Sequence, residues 1–98
     1  MTIRAAVRGW GHHLPERVVP NAEFERTLDT SDEWIVARTG IERRHIAAPG
    51  ETTSSMGARA AEAALAVAGL GARDVDAVIV ATSTPDLTFP SAATMVQA

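Results

Sequence analysis

Residues 29–45 read DTSDEWIVARTGIERRH and predict a short, well-capped helix. Ser31 suits the N-cap, because a serine hydroxyl can accept a hydrogen bond from a free N–H group of the first turn. Asp32 and Glu33 follow at the positive end of the helix dipole, where acidic side chains are favourable. Gly40 is placed to end the helix in the left-handed conformation. Capping and dipole complementarity therefore explain the acidic residues without a catalytic role.

Trp34 and Arg38 are the pair on this helix that could face a ligand. They are four residues apart in the sequence, so they lie on one face of the helix. One interpretation is structural, with Trp34 half-buried against a core and Arg38 lying on it at the surface. The other is a binding site in which Trp34 stacks on an adenine and Arg38 approaches a phosphate. The residues alone leave both open and favour the structural interpretation.

The rest of the chain alternates extended segments with helical ones, which is typical of an α/β protein. We expect extended segments at residues 2–8, 18–20, 41–47 and 77–82, and helices at 22–28, 53–68 and from 92 onward. Asn21 is the expected N-cap of the helix at 22–28, and Gly69 is expected to end the helix at 53–68. The long helix carries mostly alanine on its apolar side and is expected to pack closely against another layer. Residues 77–82 are a continuous β-branched and apolar run, which indicates a strand covered on both faces.

The charged cluster at residues 42–45, Glu42-Arg43-Arg44-His45, admits two interpretations. It could form a basic patch for phosphate, or it could be a solvated edge strand with Glu–Arg pairing. We favour the edge strand, because charged residues are a common protection of exposed sheet edges.

Composition narrows the possible functions. The 98 residues allow one small domain or a piece of a larger one, and a hydrophobic content of 46% indicates a folded chain. The net charge of −3 gives no electrostatic footprint for nucleic acid. No cysteine is present and the three histidines lack metal-ligand spacing, so we expect no metal site and no thiol nucleophile within these residues. With no membrane-spanning run and no signal-peptide pattern, we expect no membrane contact and a cytoplasmic location.

The sequence resembles the N-terminal region of β-ketoacyl-acyl carrier protein synthase III, the initiating condensing enzyme of bacterial fatty acid synthesis. The run D-T-S-D-E-W-I-x-x-R-T-G-I is a hallmark of that family, and every fixed position of it is present from Asp29 to Ile41. Residues 81–86, ATSTPD, and 89–93, FPSAA, are similar to two further segments of the family. The resemblance extends over the whole chain.

The resemblance implies a fold and a reaction. The fold would be α/β, the N-terminal part of a thiolase-like fold with a layered mixed sheet and a buried Ala-rich helix. Residues 1–98 would form a portion of its first half, without a second domain, and the whole protein would be a homodimer. A cysteine takes the acyl group from an acyl-CoA primer, typically acetyl-CoA, and a histidine and an asparagine promote decarboxylation of malonyl-acyl carrier protein. None of these three catalytic residues can be placed in this chain, and acyl-CoA is a substrate, so no cofactor is expected.

The resemblance also implies site residues by position. Trp34 and Arg38 match residues that line the mouth of the coenzyme A tunnel in the family, and Thr30 matches a residue that hydrogen-bonds the adenine. Phe89 matches a phenylalanine that crosses the dimer interface and closes the acyl pocket of the partner. From the residues alone, a local core aromatic is an equal alternative for Phe89.

Three hypotheses follow for what the chain does. The first is a part of a synthase III-type acyltransferase, either of fatty acid synthesis or of a related polyketide or quinolone-type pathway. The second is a coenzyme A-binding module without catalysis, and the third is a non-catalytic subunit that needs the rest of a thiolase fold. Under the first, the isolated 98 residues should be inactive.

Overall fold

Helices and one antiparallel strand pair make up the regular structure of the chain. The computed structural model describes residues 2–98. Strand β1 spans Arg17–Pro20, α1 Asn21–Glu25, α2 Asp32–Thr39, β2 Arg43–Ile46, α3 Thr53–Ala68 and α4 Ala92–Gln97, with a 3-10 turn at Ala72–Asp74. These elements fall into two compact units. We call Leu14–Gly50 the hairpin unit, and the residues before and after it the long-helix unit.

Strands β1 and β2 form the sheet of the hairpin unit. They pair antiparallel, with Arg17 opposite Ile46 and Pro20 opposite Arg43. Val19 is buried beneath the pair, while its neighbours on β1 are exposed. This one-sided burial is typical of an antiparallel ribbon with one face toward water. The extended segments predicted at 18–20 and 41–47 are confirmed.

Helix α2 has the caps that its sequence predicts. The Ser31 hydroxyl accepts a hydrogen bond from the Trp34 N–H at 3.2 Å. At the other end Gly40 has φ of 71°, and its N–H donates to the Val36 carbonyl at 2.8 Å. No residue of α2 is fully buried, so apolar packing alone does not hold this helix in place.

The prediction that Asn21 caps α1 is wrong. Pro20 occupies the N-cap position, and Asn21 is the first residue of the helix with its side chain turned inward. The reason is that three polar groups, from α2, the segment after it and β2, converge on the Asn21 amide, whereas a cap would satisfy one N–H group. Helix α1 also ends at Glu25 rather than Leu28, because the N–H groups of Thr27 and Leu28 both donate to the Phe24 carbonyl in a tight turn.

Helix α3 matches its predicted bounds. Thr52 and Ser55 form a reciprocal capping box at its start, and Gly69 with φ of 69° ends it. None of the helices among residues 2–98 is long and apolar enough to cross a membrane.

The small residues of α3 allow the backbone of residues 9–11 to approach closely. A Cβ atom added at Gly11 would lie 2.6 Å from the Ala64 nitrogen and 2.7 Å from the Ala63 Cβ. One added at Gly9 would lie 2.5 Å from the Ala64 carbonyl oxygen. The predicted close approach on the alanine side is therefore confirmed, with glycine on the opposing segment as the second requirement. The predicted burial of the helix is wrong within residues 2–98, where Ser54 is the one buried residue of α3.

The predicted strands at 2–8 and 77–82 are not formed among the described residues. The only strand pair in residues 2–98 is β1 with β2, and a segment becomes a strand only when a neighbour completes its hydrogen bonds. The expected burial of 77–82 is also wrong here, since Ile79 is 92% exposed. A β-branched run favours an extended conformation, but it forms a strand only when a partner strand pairs with it.

Asp86 holds the start of α3 from outside the helix. Its carboxylate accepts from the Ser54 N–H at 2.8 Å and from the Ser54 hydroxyl at 2.6 Å. The Ser54 side chain, and then Thr52, lower the pKa of Asp86 below its ordinary value of 3.8. A carboxylate at the positive end of a helix is favourable, so the charged form of Asp86 stabilises the fold.

The close approach at Gly11 predicts that a methyl group there is costly. In the full-length protein, Gly11→Ala should lower the free energy of unfolding by about 1–3 kcal/mol, because backbone atoms must shift to admit the Cβ. Gly57→Ala is the matched control inside α3, where an added Cβ meets only the Val96 Cγ2 at 3.5 Å. That variant should be stabilised by roughly 0.5–1 kcal/mol. Denaturant unfolding checks both, and a Gly11→Ala protein as stable as the wild type would contradict this packing.

The lowered pKa of Asp86 predicts a pH-dependent stability. Because the folded-state pKa lies below the unfolded one, the stabilisation is present above pH 3.8 and is lost as pH falls through the folded-state pKa. Asp86→Asn should therefore lower the melting temperature of the full-length protein at pH 7, and the gap to wild type should close in acid. Asp76 is exposed and has no hydrogen bond or ion pair within residues 2–98, so Asp76→Asn is the control. A difference in melting temperature that stays constant from pH 7 to strongly acidic pH would contradict the stabilisation of α3 by the Asp86 carboxylate.

Candidate functional site

An open groove in the hairpin unit is the strongest candidate for a binding site. Its volume is about 800 Å³, and its walls come from α1, the turn after α1, the start of α2 and β2. The lining residues are Phe24, Leu28, Asp29, Thr30, Ser31, Trp34, Ile35 and Arg44. The walls thus combine aromatic and aliphatic side chains with a few polar groups, as small-molecule sites commonly do.

Trp34 forms a flat, accessible wall of this groove. Its side chain is 56% exposed. The Arg38 guanidinium carbon lies 5.2 Å from the ring centroid, so the predicted pairing of the two residues on one helix face is confirmed. Arg38 itself does not line the groove but flanks it through Trp34. The pair therefore offers a π-surface with a positive charge beside it.

Thr30 has a polar atom without a partner. Its Oγ1 is buried and makes no hydrogen bond within residues 2–98, although its backbone N–H donates to the Leu28 carbonyl at 2.9 Å. Leaving a buried hydroxyl unpaired costs about 1–3 kcal/mol. Such groups are rare in folded proteins and call for an explanation. Thr30 and Trp34 both line the groove.

Arg44 is a groove residue that the sequence interpretation missed. The edge strand is confirmed, but the expected Glu–Arg pairing is wrong: within residues 2–98 no ion pair joins Glu42 to an arginine. Instead the Arg44 guanidinium lies 4.6 Å from the Phe24 ring centroid. It donates to the Val19 carbonyl at 3.2 Å and to the Asn21 Oδ1 at 2.6 Å. In the sequence, the one signal for Arg44 in a binding groove was the interpretation of residues 42–45 as a basic patch for phosphate.

Phe89 belongs to the long-helix unit and lies apart from these groove residues in the chain. Its side chain is 85% exposed, and the peptide bond to Pro90 is cis. Among the described residues it is therefore not a local core aromatic. Its exposure leaves the ring available to a partner surface.

The histidines have separate, ordinary partners. His13 Nε2 lies 3.2 Å from a Glu51 carboxylate oxygen, and His12 stacks on Trp10 with the ring centroids 6.3 Å apart. His45 Nδ1 lies 2.6 Å from the Pro15 carbonyl oxygen, which can only accept, so Nδ1 carries the proton. Within residues 2–98 no three side chains of the His, Cys, Asp or Glu type meet in a way that could hold a metal ion.

The chemistry of the groove is that of recognition. It presents an aromatic face, one unpaired hydroxyl and one guanidinium group, at Trp34, Thr30 and Arg44, and the Arg38 guanidinium flanks it beside Trp34. A flat heteroaromatic ring with hydrogen-bonding edges and attached anionic groups suits this set. The residues that line the groove include no cysteine, histidine or lysine.

Comparison with known proteins identifies relatives of this chain. No protein-family model matches the chain. It is 74% identical over 98 residues to the β-ketoacyl-[acyl-carrier-protein] synthase III of Roseobacter denitrificans, covering all of this chain and 30% of that protein.

Solved structures show the same relationship. The 3-oxoacyl-[acyl-carrier-protein] synthase III of Aquifex aeolicus superposes with a TM-score of 0.85 at 47% identity, over 91% of this chain and 29% of that one. The priming β-ketosynthase of the R1128 polyketide biosynthetic pathway has a TM-score of 0.86 at 38% identity, over 93% and 27% of the two chains. The predicted fold class, an α/β part of a thiolase-like fold, is confirmed.

The chain spans about 30% of the length of the curated relatives that it matches. The region of similarity covers all 98 residues of this chain. With this identity and this structural similarity, the chain is similar along its whole length to a segment of β-ketoacyl-acyl carrier protein synthase III.

Proposed function

We propose that the protein containing this chain is an initiating condensing enzyme of type II fatty acid synthesis. It transfers the acyl group of an acyl-CoA primer, acetyl-CoA in the simplest case, to a cysteine and condenses it with malonyl-acyl carrier protein as CO2 leaves. The observation that carries the proposal is the groove, where the exposed ring of Trp34 stands beside the unpaired hydroxyl of Thr30. The similarity to β-ketoacyl-acyl carrier protein synthase III supports the reaction type.

The groove residues divide the recognition of coenzyme A among them. The adenine stacks on the exposed face of Trp34, and its edge pairs with the Thr30 Oγ1. Arg38, held over the same ring at 5.2 Å, faces the phosphates. Base stacking is worth roughly 1–3 kcal/mol, which makes Trp34 the largest single contributor among the three.

The chemical step belongs to residues outside this chain. The sequence contains no cysteine, so the acyl-carrying thiol must be supplied elsewhere in the protein, together with the histidine and asparagine that promote decarboxylation. Residues 1–98 form a portion of the first thiolase-like half and deliver the primer to that centre. Acyl-CoA and malonyl-acyl carrier protein are substrates, no separate cofactor takes part, and the reaction runs in the cytoplasm.

Phe89 has its role in a homodimer. Its ring is 85% exposed, an unusual state for a phenylalanine, and burial of such a ring against a second subunit is favourable. In that position Phe89 closes the acyl pocket of the partner and contributes to primer selection.

A related priming enzyme of a polyketide or quinolone-type pathway is the second candidate. The observation that favours it is the TM-score of 0.86 to the R1128 priming β-ketosynthase, as high as that to the fatty acid enzymes. The two candidates share the coenzyme A groove and differ in the primer acyl group. Assays with acetyl-CoA and with longer or branched acyl-CoA primers separate them.

The proposed stacking predicts the effect of removing the Trp34 ring. In the full-length protein, Trp34→Ala should weaken coenzyme A binding by about 1–3 kcal/mol, or roughly 5- to 150-fold in Kd, since one base loses its aromatic platform. The KM for acetyl-CoA should rise in condensation with malonyl-acyl carrier protein, measured as release of CO2. Titration calorimetry measures the affinity directly.

Trp10→Ala is the matched control, because Trp10 is 72% exposed in the long-helix unit and does not line the groove. It should leave the affinity for coenzyme A unchanged. Equal affinities for Trp34→Ala and wild type would overturn the binding role of the groove. Tight binding without any CO2 release would instead favour a coenzyme A-binding module without catalysis.

A further inference from the structure

The buried amide of Asn21 connects the elements that build the groove. Asn21 is 1% exposed. Its Nδ2 donates to the Asp32 carboxylate at 2.8 Å and to the Ile41 carbonyl at 2.7 Å, while its Oδ1 accepts from the Arg44 guanidinium at 2.6 Å. Two acceptors face the nitrogen and a cation faces the oxygen, so only this orientation of the amide satisfies all three partners.

Two of these partners lie at the two ends of α2. Asp32 is the first residue of the helix, and Ile41 follows Gly40, at which the helix ends. Since α2 has no fully buried residue, the hydrogen bonds to Asn21 replace the apolar contacts that usually fix a helix. Bonds to charged groups are stronger than neutral ones, and burial strengthens them further. Asn21 thus ties both ends of α2, and with it Trp34, to α1, and the Glu25 carboxylate adds a bond from the Asp32 N–H at 2.7 Å.

The third partner belongs to the opposite wall of the groove. Arg44 on β2 is held by Asn21 and the Val19 carbonyl while it lies over the Phe24 ring. Both Trp34 and Arg44 line the groove. The Asn21 amide is therefore bonded to both walls at once.

We infer that Asn21 is the positioning residue of the groove: it touches no ligand and sets the distance between the Trp34 and Arg44 walls. The inference rests on the proposed function for the identity of the ligand, coenzyme A. Burying an amide group costs free energy that burying a leucine side chain would not. The inference explains why an asparagine is buried here, because its short side chain carries both a donor and an acceptor.

The test exchanges donor and acceptor across the bond between positions 21 and 32. Asn21→Asp keeps the acceptor for Arg44 but places an oxygen against the Asp32 carboxylate and the Ile41 carbonyl, where repulsion should displace α2. Adding Asp32→Asn restores a donor and an acceptor at this contact without changing the net charge from wild type. The single Asp32→Asn variant completes the cycle.

In the full-length protein, Asn21→Asp should weaken coenzyme A binding about 3- to 30-fold, the range for residues that act through a packed network. The double variant should recover the larger part of this loss. Ser54→Ala removes the side-chain hydrogen bond to Asp86 in the other unit and is the stability control, with a lower melting temperature and unchanged Kd. Wild-type affinity in Asn21→Asp, or a double variant no better than the single one, overturns the inference.

A second readout needs no ligand. The indole N–H resonance of Trp34, assigned by its loss in Trp34→Phe, should shift in Asn21→Asp and return in the double variant. If the wild-type protein does not bind coenzyme A, the proposed function fails. The Trp34 resonance then tests the role of Asn21 by itself, and a resonance that does not shift in Asn21→Asp overturns the inference. If Asn21→Asp does not fold, Asp32→Ala tests the same contact, with a shifted resonance expected and an unshifted one contradicting the inference.

Discussion

The hydrogen bonds of the buried Asn21 amide are the constraint on which the hairpin unit depends. This unit has little apolar core, with Val19 and Pro15 as its buried apolar residues. A polar contact therefore does what packing does in larger cores, tying both ends of α2 and the Arg44 side chain to the junction of β1 and α1. A fully satisfied polar network specifies one arrangement more sharply than apolar contacts do, since each donor needs its own acceptor. That sharpness suits a groove whose walls must stand at a set distance.

The groove carries a cost that a ligand can remove. The Thr30 hydroxyl is buried without a partner among residues 2–98, and the Trp34 ring is left more than half exposed. Both features are unfavourable in the unliganded protein and become favourable when a hydrogen-bonding aromatic base fills the space. In the proposed function, the described residues bind coenzyme A, and the acyl-carrying cysteine lies elsewhere in the protein, because this sequence contains none.

The sequence predicted local features well and tertiary ones poorly. Ser31 and Gly40 were recognisable as caps because their effect depends on neighbours within four residues. The role of Asn21 was not, since its partners Asp32, Ile41 and Arg44 are 11, 20 and 23 residues away. Among the site residues, Trp34 and Arg38 followed from helical spacing and Thr30 from the family motif. Arg44 was missed because charge patterning cannot tell a solvated arginine from one laid over an aromatic ring.

The most direct test of the groove as a nucleotide site is a crystal structure of the full-length protein with coenzyme A. We expect the adenine to stack on the Trp34 ring at about 3.5–4.0 Å, the separation of atoms in van der Waals contact. An atom of the base edge should lie roughly 2.6–3.2 Å from the Thr30 Oγ1, within hydrogen-bond distance. Coenzyme A bound at another surface, with water alone in the groove and the Thr30 hydroxyl still unpaired, would contradict the account.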